Sequence, residues 1–387
     1  MCGGLLRSAC YCAMIAFVMA GAASAEPKKL SKDEASAGWI NLFDGETTFG
    51  FNQTGDAKWA VEDGAIVCAN GTGGALATTS QFADFVFSAK VRVSSEDIAG
   101  IAVRASLEGH PTENGSAMLV ITEPKDGGKE WHTVEITANG ADLTAKLDGK
   151  DVELKGSTRG RGYIAFFYYG HGDRSPKPAG WDHRIKLEVA DAKLQPLNLK
   201  SLFNGKDLAG WSEIPEHKSK FSVIDGALNI KDGNGQIETT ELFKDFALQL
   251  DIISNGEHLN SGVFYRGPVG VFWKGYESQV RNQWKDNDRT QPIDFGTGGN
   301  YGNQPSRNVI TTDGEWFTKT IVCSGNHTSV WLNGYHVSDF TDNRPLNPGN
   351  DGKNGYVPGP GTFHLQGHDP TTDLSFKNIK AAEYPKN

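Results

Sequence analysis

The chain has 387 residues and a formal net charge of −9, with 47 acidic against 38 basic side chains. That charge is spread along the sequence without a basic block, which argues against nucleic acid or an anionic membrane surface as a partner. Of the five cysteines only Cys68 and Cys323 lie beyond residue 12, too few for a disulfide framework and without zinc-module spacing.

Residues 1–25 read as a signal peptide. Arg7 precedes an apolar run from Ala9 to Ala23, and Ala23-Ser24-Ala25 supplies the small residues of a cleavage site. The run is too short to span a bilayer comfortably. The expectation is an exported, soluble protein, periplasmic or secreted, with no membrane association after cleavage.

Beyond it the sequence repeats itself. Trp39–Gly45 returns as Leu199–Gly205, and Val61–Ile66 as Val223–Leu228. Phe82-Ala83-Asp84-Phe85 returns as Phe243-Lys244-Asp245-Phe246, and Gly100–Arg104 as Gly262–Arg266. Glu130-Trp131 matches Glu315-Trp316, and Leu147-Asp148-Gly149 matches Leu332-Asn333-Gly334. Matches in the same order mark a duplication, with a first domain at 26–195, a second at 196–387, and a linker near Ala190–Leu199. Within each copy apolar residues alternate, as at Phe246, Leu248, Leu250 and Ile252, which predicts strands. Gly325-Asn326 predicts a hairpin turn between Thr318–Cys323 and Thr328–Leu332. Short strands punctuated by Asp-Gly and Asn-Gly predict an all-β chain of two tandem jelly-roll sandwiches.

The copies differ in the middle. Between the Gly-x-x-x-Arg strand and the Glu-Trp strand the second copy carries a longer insertion, 268–313, rich in Trp, Tyr, Arg, Asn and Gly. Long polar-aromatic loops on a rigid sandwich are where sites are built, so the second copy is expected to carry the site and the first to be non-catalytic. The Gly296–Gly302 run lacks the strand–helix context of a nucleotide loop. His364 and His368 have no third metal ligand at fixed spacing, and Asp286–Asp294 lacks calcium-loop spacing. The expectation is no cofactor, with a divalent cation left open.

The Gly275–Arg281 strand places Glu277, Gln279 and Arg281 on one face. A two-carboxylate glycosidase needs a second acid, and Gln279 stands where it would be. The matching strand of the first copy, Ser116–Val120, has no acid. Trp273, Trp284, Tyr301 and Trp331 are aromatics able to stack on sugar rings or to fill the core.

Asn260-Ser261-Gly262-Val263-Phe264-Tyr265-Arg266-Gly267-Pro268 and Tyr276-Glu277-Ser278-Gln279-Val280 resemble the signature of the 3-keto-disaccharide hydrolase family, the 3-keto-glucoside 1,2-lyase/3-keto-2-hydroxy-glucal hydratase domain. Gly314-Glu315-Trp316, Trp331–Gly334, Asp339–Asp342, Gly361–His368 and Phe376–Ile379 extend the resemblance, which is strong over 200–384 and weaker over 39–195. It implies a concanavalin-like jelly roll and substrates whose glucose ring is oxidised to a ketone at C3. Such a ketone acidifies the C2 hydrogen, so one base suffices for elimination of the C1 substituent and hydration of the glycal. The candidate base is Glu277, the candidate acid His368, and the candidates for polarising the ketone Arg266 or Gln366. Gln279, Arg281, Tyr301, Trp331, Gln366 and Trp284 are expected to contact the carbohydrate. The competing readings are a non-catalytic, lectin-like carbohydrate-binding sandwich and a structural surface protein.

Overall fold

The computed structural model describes residues 30–71, 73–93, 98–108, 115–121, 130–154, 159–169 and 187–386. The expected signal peptide lies outside the described residues. No helix among them is long and apolar enough to cross a membrane.

Among the described residues two β-sandwiches follow one another, each an eight-stranded sheet packed on a five-stranded one. In the second copy the five-stranded sheet runs Trp211–Glu213, Gly235–Thr239, Thr362–Gly367, Ser261–Gly267, Tyr276–Val280. In the first it runs Phe51–Gly55, Gly73–Thr78, Tyr163–Tyr169, Ile98–Ala105, Ala117–Ile121, the same order. Every pairing within these sheets is antiparallel. The alternating residues Phe246, Leu248, Leu250 and Ile252 are buried in the second core, with Val263, Tyr265, Phe363 and Leu365 packed from the facing sheet. The Gly325-Asn326 turn closes the hairpin of Phe317–Ser324 and His327–Leu332, with Ser324 opposite His327 and Gly325 at φ +61. Cys68 and Cys323 are buried free thiols.

Most of the stretch expected as linker is strand. Leu187–Pro196 runs through it, with a register shift between Ala190 and Lys193 where Asp191 adopts φ +54. That bulge breaks the alternation a strand would otherwise show, and only residues 197–199 connect the copies.

The copies are docked on each other. Trp331 joins the first copy's core cluster, its Nε1 donates to the Asn41 carbonyl at 2.9 Å, and its ring stacks on His336 at 4.3 Å. Arg307 pairs with Asp44 and Arg161 with Asp245, both at 2.8 Å. Thr79 and Ser329 donate to the half-buried Asp339 carboxylate at 2.5 and 2.8 Å, and Ser80 donates to Ser329. The back of the Phe246–Ser254 strand is covered too: Gln249 is buried and donates to the Gly38 carbonyl at 2.7 Å.

Candidate active site

One face of the second copy's five-stranded sheet packs into its core, so alternation turns the other face outward. That outer face is polar. Gln236 lies opposite Gln366, Glu238 opposite His364, His364 opposite Phe264, Phe264 opposite Glu277, and Gly262 opposite Gln279. Over it lies a cavity of about 130 Å³ lined by Asn260, Phe264, Trp273, Glu277, Gln279, Tyr301, Lys353, Gln366 and His368. A wider hollow of about 450 Å³ lies on the eight-stranded sheet beside Trp316. It is shallow: its partly buried acid Asp373 is already bound by Asn229, Asn255 and Lys231, and its other acid, Asp225, is solvent-exposed.

Glu277 is the centre of the smaller cavity. It is 8% exposed, and among the described residues no donor hydrogen-bonds its carboxylate. Burial pushes the carboxyl up to about 8, aided by Asp294 and opposed by Lys353 and Lys319. The neighbouring strand makes room for it: a Cβ on Gly262 would come within 2.3 Å of Glu277 Oε1. The glycine-rich segment serves this strand as well. Gly298 donates to the Gln279 carbonyl, Gln279 N–H donates to Gly299, and Tyr301 N–H donates to the Glu277 carbonyl. The segment thus pairs with the free edge of the Glu277 strand.

Around the carboxyl several polar groups are held in place and several are left open. Gln279 Nε2 donates to the Asp294 carbonyl at 3.0 Å and to its carboxylate at 3.1 Å. Asn260 Nδ2 donates to the same carboxylate. Gln366 is 2% exposed, and among the described residues its Oε1 has no partner; Asn260 Oδ1 and Gln236 Nε2 are likewise unpaired there. Unpaired buried polar atoms cost about 1–3 kcal/mol each, so those of Gln366 and Asn260 at one cavity point to a hydroxylated ligand or water. His368 Nδ1 sits 3.0 Å from Asp369 Oδ2, and its ring lies 6.0 Å from Trp273. Among the described residues its other nitrogen has no hydrogen-bond partner. Trp273 is 44% exposed, at φ +56, its N–H held by Gln236 Oε1 at 2.9 Å. The Lys353 ammonium lies 4.6 Å from the centre of the Tyr301 ring.

Of the expected site residues, Glu277, Gln279, Tyr301, Gln366 and His368 line this cavity. Four do not. Arg266 is 2% exposed and turned away, donating to the Lys244, Val357 and Gly325 carbonyls and to Asp245. The cause is a β-bulge: Arg266 sits at φ +54 inside a register shift, which re-aims it from the face that alternation assigns. Arg104 repeats the geometry at φ +47, donating to Ala83, Gly140 and Arg159 carbonyls and to Asp84. Trp331 is buried between the copies. Arg281 stands behind the cavity, bonded to Gln283 and 3.3 Å from Asp294. Trp284 carries the Arg289 guanidinium over its ring at 4.0 Å, outside the cavity. His364 and His368 do not converge: His364 is 2.7 Å from Thr362 and 3.3 Å from Glu238, fully buried.

Asn260, Phe264 and Lys353 were not singled out by sequence. Asn260 and Phe264 stand in the motif that carried the resemblance. Lys353 comes from a loop joining strands of opposite sheets, and nothing local marks it.

A family model described as the 3-keto-alpha-glucoside-1,2-lyase-like domain matches residues 38–171 and again 198–382. No curated protein matches the chain. Among solved structures, two proteins of Parabacteroides distasonis, both provisionally assigned as glycosyl hydrolases, are 21% and 24% identical. Each match covers 48% of this chain, with 94% and 99% of the other chain and a TM-score of 0.39. A carbohydrate-binding module of Bacillus subtilis is 14% identical over 45% of this chain and 96% of its own, with a TM-score of 0.33.

Proposed function

The chain belongs to the 3-keto-alpha-glucoside-1,2-lyase-like domain family, and from that premise we propose that it is an exported enzyme cleaving 3-keto-glucosides or 3-keto-disaccharides. In this reading residues 1–25 are a signal peptide, 26–195 a silent copy, 196–387 the active copy, and the protein works in the periplasm or outside the cell. Glu277 removes the C2 proton, and the electron pair passes into an enolate at the C3 oxygen. Gln366 and Lys353 face that oxygen with an amide and an ammonium group. The enolate re-forms the ketone as the C1 oxygen substituent leaves, taking a proton from His368 held by Asp369. This leaves a C1–C2 double bond, and water added across it returns 3-keto-glucose.

The observation that carries this reading is the buried carboxyl of Glu277, without a hydrogen-bond partner among the described residues and raised by burial to about 8, facing a small polar cavity. A base held near the working pH is what proton abstraction requires. The same groove with Trp273 at its rim also suits a sugar-binding module, and the two readings separate by turnover. The purified protein is incubated with a 3-keto-glucoside and with its unoxidised parent, following loss of each. Consumption of the ketone alone, with a rate rising through about pH 8 as Glu277 ionises, is the expected result. Binding of either sugar without consumption of the ketone overturns catalysis and leaves the lectin reading.

A further inference from the structure

A second buried ionisable group lies under the same strand. Lys319, on the Phe317–Ser324 strand of the opposite sheet, is fully buried inside the sandwich. Its ammonium donates to the Gln279 carbonyl at 2.8 Å and to the Ser278 carbonyl at 3.1 Å. Its neighbours across the sheet, Leu250 and Leu332, are apolar. In the first copy the equivalent position, paired with Ala89 and Leu147, is Val134. An apolar residue is therefore sufficient for this sandwich. Burying a lysine there costs solvation that two carbonyl hydrogen bonds only partly recover. The copy that carries Glu277 bears that cost and the copy that carries Met118 in its place does not.

We propose that Lys319 is a positioning residue for Glu277: from the core side it pins the carbonyls of the two residues that follow Glu277 and supplies a positive charge beneath its carboxylate. The proposal rests on Glu277 being the functional base, but its test does not require turnover. The pinned carbonyls belong to residues 278 and 279, so the pleat that aims Glu277 and Gln279 outward is held from behind. Glu277 faces charge from several sides: Lys353 and His368 at the cavity, Asp294 and the Tyr301 hydroxyl beside it, and Lys319 beneath. Lys319 differs from Lys353 in being inaccessible to solvent and salt, so its charge is little screened. The two buried groups act on each other. Burial lowers Lys319 and raises Glu277, while each charge draws the other toward its ionised form.

The experiment is a pH titration of the Glu277 carboxyl by ¹³C NMR on the full chain, assigned by its disappearance in Glu277→Gln. Three variants are compared: Lys319→Met, Lys319→Val (the first copy's residue) and Lys377→Met, a distant surface lysine. Lys319→Met and Lys319→Val are expected to fold, judged by thermal unfolding, and to raise the Glu277 midpoint by about one unit, the lower end of the effect of a close opposite charge. Lys377→Met is expected to leave it unmoved. A midpoint unchanged in both Lys319 variants, with the fold intact, overturns the proposal and makes Lys319 a purely structural residue. A moved midpoint in a protein that consumes no 3-keto-glucoside upholds the coupling while overturning the catalytic reading of Glu277. Should both Lys319 variants fail to fold, the proposal that this charge serves Glu277 rather than the fold is overturned.

Discussion

The outer faces of the two five-stranded sheets share a backbone and part in chemistry. With Gly100 set on Gly262 and Arg104 on Arg266, the registers make each polar residue of the second face answer to a residue of the first. Glu277 answers to Met118, Gln279 to Val120, Gln366 to Phe167, His364 to Ala165, Glu238 to Ala77, Gln236 to Ala75 and His368 to Tyr169. In the first copy Ala75, Ala77, Ala102, Met118, Ala165 and Phe167 form an apolar cluster of their own, packed by Val120, Tyr163 and Tyr169. In the second, the same positions hold buried amides, two buried carboxyls (Glu238 and Glu277) and a buried imidazole, His364. One scaffold thus supports either a satisfied apolar face or a polar face with unpaired atoms. The latter is less stable on its own terms, as functional sites generally are.

The Arg104/Arg266 pair tests the shared half of this comparison and carries the largest expected effect. Both guanidiniums are buried at a bulge and pair with an aspartate of the same motif, Asp84 or Asp245. Arg266→Met is expected to cost about 3–5 kcal/mol in chemical unfolding, the range for breaking a buried pair from one side. Arg104→Met is expected to cost less, because Asp84 is the more exposed partner. A stable Arg266→Met protein that loses turnover alone would break the comparison and return Arg266 to the chemistry.

The half that differs is sharpened by Glu277→Met, which installs the first copy's residue. The Glu277 carboxyl is raised from 4.5 to about 8 in the fold, so the folded state favours its protonated form. Its contribution to stability is full below pH 4.5 and is lost as pH rises through 8. The variant is therefore expected to gain on the parent between pH 6 and pH 9, by an amount on the order of a few kcal/mol. Thermal unfolding across that range checks it. A difference independent of pH would mean that Glu277 is not held as a buried acid.

Much of this was legible in the chain. The repeat and its Asp-Gly and Asn-Gly turns mark the two sandwiches, and the loss of the acid between the copies marks Glu277. The same comparison also held the corrective for Arg266: an arginine retained in the copy without an acid serves the fold. Alternation misplaced it because a bulge is invisible to period-two reasoning. Trp331 was beyond reach for another reason, since its burial comes from docking of one sandwich on the other. Lys353 and Lys319 reach Glu277 through tertiary packing alone, one from a distant loop and one from the opposite sheet. Only Lys319 left a trace, in its replacement by Val134.

The claim that the second face is catalytic rests most directly on the turnover of a 3-keto-glucoside by Glu277→Gln, measured with its affinity. The substitution keeps size and much of the polarity and removes the base. The account predicts a loss of about 10²–10⁴ in turnover, with affinity within about tenfold of the parent, the effect of one neutral hydrogen bond. Turnover within about tenfold of the parent would contradict it and move the base to another residue of the cavity, with His368 the next to test.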